Sequence, residues 1–242
     1  MGNSSYFFDL LMIDIETVPQ VPAFNNLSAE WQKLFFDKIS KMMPENQTVE
    51  DTYRQKAGIL AEFAKVICIS TAFFYEDKGG NLCLKIKSIY GDDEATVISE
   101  FNELVNRFAQ RNRNFRFAGH NIREFDIPFL CRRMLVNGIT LPPSFQIQGA
   151  KPWEINMLDT LQWWKFGDYK NYISLHLLAN VLGIPTSKSD IDGSMVQDVY
   201  YLEHDLKRIV EYCQRDVIVV AQVIQRFKGF PLIKNECIIV VE

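Results

Sequence analysis

A short apolar run that ends in two carboxylates constrains the fold of this chain more than any other feature. Residues 10–17 read Leu-Leu-Met-Ile-Asp-Ile-Glu-Thr, which is typical of a buried β-strand. Because side chains alternate along a strand, Asp14 and Glu16 share one face, and Ile13 and Ile15 share the other. Two buried carboxylates are costly without a positive charge between them, and divalent metal ions prefer oxygen ligands of this kind. The pair predicts a metal site, with strand-end capping as the alternative.

The composition indicates one sizeable domain. The chain has 242 residues, of which 48% are hydrophobic, and a formal net charge of −4. That charge argues against coating nucleic acid by bulk attraction, but not against an enzyme whose bound metal sets the local field. The five scattered cysteines form no Cys-x-x-Cys pattern, and the sequence has no signal peptide or membrane-spanning run. We therefore expect a single domain over residues 1–242, in the cytoplasm and without a membrane partner.

The segment that follows the first strand has helical spacing. Two prolines break the strand after Glu16, and apolar residues then recur at the period of a helix for which Ser28 is a candidate N-cap. A second short helix is predicted from about Val49 to Ala64. We interpret residues 20–63 as a helical insertion beside the first strand. It either covers the core or forms one wall of a substrate groove.

The rest of the chain alternates between strand and helix patterns. Strands are predicted at residues 66–75 and 82–90, joined by a hairpin, and Lys85 and Lys87 on one face of the second indicate an outer strand. Further predicted elements are a helix after Asp93, a strand at residues 115–119, a helix from Ile127, a strand at residues 155–164, a helix at residues 205–228, and a tail at 237–241 that is a last strand or a docking segment. This order predicts an α/β domain with helices covering a mixed sheet.

Three residues join the first carboxylate pair as candidates for chemistry. Asp126 begins a predicted helix after a short strand, and Asp216 faces out from the strongly amphipathic last helix. Tyr212 precedes Asp216 by one helical turn, so their side chains lie on one face. An ordinary half-buried aromatic residue is the simpler interpretation of Tyr212.

In this order the residues resemble the DEDD family of 3′–5′ exonucleases, which have a ribonuclease H-like fold. The first motif of that family matches residues 14–17 (Asp-Ile-Glu-Thr), the second resembles residues 121–128 (Asn-Ile-Arg-Glu-Phe-Asp-Ile-Pro), and the third matches residues 212–216 (Tyr-Cys-Gln-Arg-Asp). The tyrosine is that of the DEDDy subtype, since the other subtype would have histidine in place of Glu211. The second motif is most similar to that of the proofreading domains of family B DNA polymerases, although the chain has no room for a polymerase.

The resemblance implies an α/β, ribonuclease H-like three-layer fold, with a mixed central sheet and helices on both faces. It implies two divalent ions, Mg²⁺ or Mn²⁺, at Asp14, Glu16, Asp126 and Asp216, with Asp14 bridging both. Tyr212 would orient the attacking water, because its ordinary pKa of about 10 makes it a poor base at neutral pH. The expected activity is metal-dependent 3′–5′ hydrolysis of single-stranded nucleic acid, with DNA favoured over RNA.

Four residues are candidates for substrate contacts. Asn121 and Phe125 would meet the terminal nucleotide, by a hydrogen bond and by stacking, and Lys188 would contact a phosphate. Thr17 completes the set because it ends the first motif. A turn-forming asparagine and a core phenylalanine are the simpler interpretations at residues 121 and 125. The expected partners are a single-stranded 3′ end and a replication or repair protein.

Two other functions compete with the exonuclease. A catalytically silent nucleic-acid-binding or scaffold protein on the same fold would be expected to have lost at least one of the five site residues, and all five are present. A metal-dependent hydrolase of free nucleotides would need a closed pocket with a base-specific clamp, for which the sequence has no motif. The residues therefore favour the nuclease.

Overall fold

The computed structural model describes residues 5–151, 154–168, 170–186 and 191–241. The described strands are β1 (Leu10–Pro19), β2 (Ala64–Glu76), β3 (Leu82–Tyr90), β4 (Arg116–Gly119), β5 (Leu158–Asp159) and β6 (Ile238–Val241). The described α-helices are α1 (Ser5–Phe8), α2 (Ala29–Ile39), α3 (Val49–Lys56), α4 (Glu94–Arg111), α5 (Asp126–Val136), α6 (Thr160–Lys165), α7 (Leu175–Val181), α8 (Val196–Asp198) and α9 (Leu206–Phe227). A π-helical turn at Val199–Glu203 follows α8 directly.

The strands form one mixed sheet in the order β5-β4-β1-β2-β3-β6. β1 lies near the centre and pairs antiparallel with β2 and parallel with β4. β2 and β3 form the predicted hairpin, whose turn is held by Asp77 Oδ1, which accepts hydrogen bonds of 2.8 Å from the backbone N–H groups of Gly79 and Asn81. β1 therefore lies in the interior of the sheet, and beyond Met12 it pairs with β2 alone.

Helices cover both faces of the sheet, as the alternation along β1 predicts. Leu11, Ile13 and Ile15 pack in one apolar cluster with residues of α4 and α5. Leu10 and Met12 point to the other face and pack in a cluster with residues of α9. Asp14 and Glu16 have the same parity as Met12, so they face α9. The three-layer arrangement is confirmed.

A buried ion pair braces the layer formed by α4 and α5. Glu94, at the start of α4, accepts hydrogen bonds from Arg133 Nε and Nη2 at 2.8 and 2.6 Å, from Asn137 Nδ2 at 2.8 Å and from the backbone N–H of Val66 at 2.8 Å. Arg133 Nη1 also donates to the carbonyl of Ala61 at 2.8 Å. This network ties α5 to the start of β2, and thereby fixes the helix that begins with Asp126.

Residues between β1 and β2 form a small apolar cluster of their own. Phe35 and Ile39 of α2 pack with Tyr53 of α3 and with Phe63, and the Tyr53 hydroxyl donates to the carbonyl of Val21 at 3.0 Å. Ser28 caps α2 through a hydrogen bond from the backbone N–H of Trp31, as predicted. These helices lie beside the carboxyl end of β1, where Gln20 N donates to the Phe63 carbonyl at 2.8 Å.

Three sequence expectations about elements are wrong or incomplete. The strand expected at residues 155–164 is only two residues long, because the Asp159 side chain accepts the backbone N–H groups of Leu161 and Gln162 and so starts α6. The helix expected to reach Ala64 ends at Lys56 and gives way to a 3₁₀ turn. β3 is not an outer strand, since the tail forms β6 and pairs parallel with it. No described helix has the length and apolar character needed to cross a membrane.

Candidate active site

The first two carboxylates lie on β1 where the strand meets α9. Asp14 pairs with Ser70 of β2, and Glu16 pairs with Cys68. The register shifts between Glu16 and Thr17, and this irregularity is of the kind that re-aims side chains beside active sites. Glu16 retains only 8% of its exposure, and Asp14 is half-buried. Both side chains thus have limited access to solvent, on the face of the sheet that α9 covers.

Asp126 reaches the same point from the neighbouring strand. β4 pairs with β1 only as far as Met12, so the backbone of β1 beyond it has no partner strand on that side. The Asp126 side chain fills this gap, because its Oδ1 accepts the backbone N–H of Ile15 at 3.2 Å. Asp126 is 4% exposed and lies in the first turn of α5, where the helix dipole favours a negative charge. It therefore sits against the backbone between Asp14 and Glu16.

A tight turn between β4 and α5 positions the start of α5 beside β1. Gly119 ends β4 so close to the following turn that an added Cβ would lie 2.0 Å from Ile122 Cγ2 and 3.0 Å from the Ile13 carbonyl oxygen. Asn121 then has a φ of 64°, in the left-handed region. Asp159 holds this turn, since its two oxygens accept the backbone N–H groups of Asn121 at 2.9 Å and Arg123 at 3.2 Å.

α9 supplies Tyr212 and Asp216, one turn apart. The helix begins at Leu206, where the side chain of Asp205 accepts the backbone N–H of Arg208. Cys213, which lies between Tyr212 and Asp216 in the sequence, faces the sheet, and its thiol donates to the backbone carbonyl of Asp14 at 3.4 Å. The Cys213 sulfur and carboxylate oxygens of Asp14 and Glu16 lie within 4.8 Å of one another. The thiol thus fixes α9 against the strand that carries the first two carboxylates.

The four carboxylates repel one another in a poorly solvated place. Burial raises the pKa of Asp14 well above its usual range, and repulsion from Asp216 and Asp126 adds to the effect. Burial and then the charges of Asp14 and Asp216 raise the pKa of Glu16 in the same way. Burial likewise raises the pKa of Asp126 to about 7, although backbone N–H groups oppose it. Each of these groups therefore prefers its neutral form unless a cation is bound nearby.

The pKa values of Asp216 and Tyr212 are also raised. Burial raises the pKa of Asp216 to about 6, and interactions with the Tyr212 hydroxyl and the Arg215 charge oppose that shift. Burial and then the charges of Asp216 and Glu16 raise the pKa of Tyr212. Tyr212 therefore keeps its proton at neutral pH and acts as a hydrogen-bond donor.

The cluster fits a cation. Asp14 Oδ2 is buried and has no hydrogen-bond partner among the described residues. An unpartnered carboxylate oxygen is costly, and the charges that act on Asp14 from Asp216 and Asp126 are negative, whereas Glu94 has the Arg133 guanidinium beside it. Carboxylate oxygens without histidine suit Mg²⁺ or Mn²⁺. Family resemblance aside, the donor set here matches a divalent metal.

Two clefts open from the carboxylates. The first, here called the Glu16 cleft, has a volume of about 490 Å³ and is lined by Glu16, Thr17, Phe125, parts of α3 and residues 193–198. The second, the Tyr212 cleft, has a volume of about 360 Å³ and is lined by Tyr212, Asp216 and side chains that include His176 and Asp192. One of the carboxylates thus lines each cleft, Glu16 the first and Asp216 the second.

The residues expected to contact substrate are placed unevenly. Phe125 lines the Glu16 cleft, although its ring also packs 5.4 Å from that of Phe129. Thr17 lines the same cleft, but its hydroxyl donates to the Gly58 carbonyl at 2.6 Å and so anchors the segment after α3. Asn121 forms the turn, and its Oδ1 is buried without a partner in the described part of the chain. Lys188 lies outside the described residues.

Sequence reasoning missed two residues that build the site. Asp159 holds the turn before Asp126, and its signal in the sequence is a helix N-cap pattern that was hidden inside a predicted strand. Cys213 contacts the backbone of Asp14, and its signal is its position between Tyr212 and Asp216 on the buried side of an amphipathic helix.

Comparison with known proteins agrees with this architecture. A family described as "Predicted 3'-5' exonuclease related to the exonuclease domain of PolB" matches residues 59–230, a segment that includes Asp126, Tyr212 and Asp216 and begins after Asp14 and Glu16. No curated protein sequence matches the chain.

Among solved structures, a family B DNA polymerase from the hyperthermophilic archaeon Pyrobaculum calidifontis aligns with a TM-score of 0.54 and 14% identity, over 90% of this chain and 24% of that chain. The chain thus spans about a quarter of that polymerase, and the likeness shows the fold, which is ribonuclease H-like as expected. Because the family match covers well over half of its residues, the chain belongs to the family of predicted 3′–5′ exonucleases related to the exonuclease domain of PolB.

Proposed function

We propose that this protein is a metal-dependent 3′–5′ exonuclease that hydrolyses phosphodiester bonds at the 3′ end of single-stranded nucleic acid. The observation that carries the proposal is the buried, unpartnered Oδ2 of Asp14 among three further carboxylates whose pKa values are raised. Membership of a family of predicted exonucleases supports the same activity. The alternative of a silent binding protein gives no reason to keep such a costly cluster.

Asp14, Glu16, Asp126 and Asp216 would hold two divalent ions, Mg²⁺ or Mn²⁺. Such ions generate hydroxide from water near neutral pH and stabilise the charge that develops on the leaving 3′ oxygen. The protein contributes the positions of the four carboxylates, and the hydrogen bond from Ile15 N to Asp126 fixes one of them against the strand that carries two others. These four carboxylates would keep their negative charges beside bound cations, because attraction to the cations would outweigh the repulsion that raises their pKa values.

Tyr212 would orient the attacking water through a hydrogen bond from its hydroxyl. Its raised pKa supports this role over that of a general base, because a protonated phenol can donate but cannot take a proton. Asp216 lies one helical turn away and would hold the metal on the same side. The two residues thus act from one rigid helix.

The substrate contacts are part of the proposal. Phe125 would stack on a base in the Glu16 cleft, and Asn121 would form a hydrogen bond with the terminal nucleotide. Thr17 would contribute through its backbone or as an acceptor, since its hydroxyl proton is already donated. Lys188 would contact a phosphate. DNA is the favoured substrate, because the family is described by its relation to a DNA polymerase.

The test is digestion of single-stranded DNA and RNA oligonucleotides labelled at the 3′ or the 5′ end, with Mg²⁺, with Mn²⁺ and with a chelator. We expect a ladder that shortens from the 3′ end, needs metal and is faster with DNA. Asp216→Asn, which changes the charge but not the shape of the side chain, serves as the matched control. Degradation by the Asp216→Asn protein at the wild-type rate would assign the nuclease to a contaminant.

A folded protein that binds the labelled strands but never shortens them would instead support the silent binding protein. Folding in that case is checked by the cooperativity of thermal unfolding. Cleavage from the 5′ end, or cleavage inside a circular strand, would contradict the proposed polarity.

A further inference from the structure

The Glu16 cleft is built in part by the helices inserted after β1. Its lining includes Asp51, Arg54 and Gln55 of α3 on one side and residues 193–198 on the other. Its volume of about 490 Å³ is within the range of sites that hold one drug-sized ligand, which is also the size of a nucleotide. A strand bound at the carboxylates and passing through this cleft would therefore run along α3.

The described lining of this cleft is mostly acidic, so it would repel the phosphates of a nucleic acid except near Arg54. Its described lining carries the acids Glu16, Asp51 and Asp198, and Arg54 is the one cation in that lining. A metal bound at Glu16 would neutralise one end of the cleft. A phosphate at the other end would still need a positive partner, and Arg54 is placed to supply it.

Arg54 makes one ion pair, and most of its N–H donors stay accessible to a ligand. Its Nη2 donates to Asp198 Oδ2 at 2.6 Å, but its side chain keeps 67% of its exposure. A guanidinium has five N–H donors, so most of them remain available to phosphate oxygens. An exposed pair of this kind contributes about 0–1 kcal/mol to stability, so Arg54 is of little value to the fold.

The backbone that carries Arg54 is fixed relative to the carboxylates. The hydrogen bond from the Thr17 hydroxyl joins β1, one residue beyond Glu16, to the Gly58 carbonyl just after α3. Tyr53, the residue before Arg54, is 1% exposed and packs in the insertion's apolar cluster. Arg54 thus projects from a rigid wall and not from a mobile loop.

We propose that Arg54 binds a backbone phosphate of the substrate strand other than the phosphate that is cleaved. This role deepens the proposed function and rests on it, because it identifies how the inserted helices hold a strand at the metal centre. It also gives residues 20–63 a part in substrate binding in addition to covering the core.

The experiment compares wild type with Arg54→Ala and Arg54→Gln on two substrates, a twelve-nucleotide strand and a dinucleotide whose single phosphate is the one cleaved. For the longer strand we expect KM to rise about tenfold with kcat unchanged, as for loss of a charged hydrogen bond. The dinucleotide should show no change in KM. The slope of log(kcat/KM) against log salt should become shallower by about 0.7, the value for one phosphate contact to a single strand.

Arg107→Ala is the matched control. Arg107 is 65% exposed, makes a longer surface ion pair of 4.0 Å with Glu103 and lies on α4, outside the lining of the Glu16 cleft. Its replacement should change neither the KM nor the salt slope. An equal KM for Arg54→Ala and wild type on the longer strand would overturn the inference, and so would an equal rise in KM on both substrates.

A separate binding measurement keeps this inference distinct from the proposed function. Fluorescence anisotropy of the labelled twelve-nucleotide strand is measured with each protein, and Arg54→Ala should bind about tenfold more weakly than wild type. If wild type degrades nothing, the exonuclease proposal fails, and the anisotropy result still decides whether Arg54 contacts the strand. Equal binding by the two proteins overturns the role of Arg54 whatever the turnover.

Discussion

Glu16 and Glu94 are equally buried, at 8% and 7% exposure, but the protein treats them in opposite ways. Glu94 accepts two hydrogen bonds from Arg133 and one each from Asn137 and a backbone N–H, so its charge is compensated within the fold. Glu16 faces Asp14 and other acids, and these charges together with burial raise its pKa. Burial of a carboxylate is therefore no mark of function by itself. The mark is a buried negative charge that the protein leaves uncompensated.

Asp159 sharpens the same comparison within the candidate site. It is 1% exposed, yet its oxygens accept backbone N–H groups from the turn before α5 and from the start of α6. Asp14 lies nearby in the fold and has an oxygen with no partner among the described residues. One aspartate is thus part of the scaffold, and the other has a buried oxygen that could bind the proposed metal.

The largest expected effect is on turnover when an uncompensated carboxylate is removed. Asp14→Asn should lower kcat by at least about 10⁴-fold, because Asp14 is one of the four carboxylates that would hold the metal ions, and such ions supply several kcal/mol of transition-state stabilisation. The melting temperature of the metal-free protein should stay the same or rise, since one repelling charge is gone. Turnover comes from the oligonucleotide assay and stability from thermal unfolding in chelator.

The contrasting variant is Asp159→Asn, which should lose stability, because an amide nitrogen would then face N–H donors. Wild-type turnover by Asp14→Asn would remove this residue from the mechanism. A large loss of stability in Asp14→Asn would place it with the scaffold instead.

The second effect is on stability and separates the two glutamates directly. Glu94→Gln should destabilise the protein by about 3–5 kcal/mol, since it leaves the buried Arg133 charge without a counter-charge. Glu16→Gln should leave the metal-free protein as stable as wild type or more so. Urea unfolding of both variants in chelator measures the difference. Equal losses in the two variants would mean that Glu16 has a cationic partner within the protein.

The sequence predicts features of the structure that depend on neighbouring residues better than those that depend on residues distant in the chain. Asp14 and Glu16 were predictable because strand alternation and burial are local, and the pairing of Tyr212 with Asp216 follows from helix geometry. The turn at Asn121 was predictable only as a turn, since its shape depends on Asp159, which is 38 residues away in the chain. Long-range partners of this kind leave no periodic signal.

The errors in secondary structure have the same physical origin. The strand at residues 155–164 was overextended because its apolar composition suits a strand, whereas one side-chain cap at Asp159 turned it into a helix. The lysines of β3 predicted an outer strand, but β6, near the end of the chain, pairs with its edge. Pairing between distant segments is decided by tertiary packing and not by either segment alone.

The third effect is a pH dependence of stability in the metal-free protein. The folded pKa values of Asp126, about 7, and of Asp216, about 6, lie above the ordinary value of 3.8. The folded state therefore binds more protons than the unfolded state, and stability must fall as pH rises from about 4 to about 7. At about 1.4 kcal/mol per pKa unit, the two shifts together amount to several kcal/mol. Thermal unfolding in chelator across this range measures it.

Mg²⁺ should abolish that dependence, because a bound cation favours the ionised carboxylates, and its stabilising effect should be greatest at the higher pH. A stability that rises with pH in chelator would contradict the raised pKa values of the carboxylates.

The smallest effect tests whether Tyr212 belongs with the carboxylates or with the scaffold. Tyr212→Phe removes one hydroxyl and keeps the ring, so it should lower kcat by about 10²-fold, the effect of a misplaced reactant. Metal affinity by calorimetry should not change, because the four carboxylates remain. The rate should also keep its dependence on pH, since a hydroxyl that stays protonated only orients the water. Loss of the basic limb of the pH–rate profile in Tyr212→Phe would instead show that the phenol titrates during the reaction, and an unchanged kcat would make it an ordinary half-buried aromatic residue.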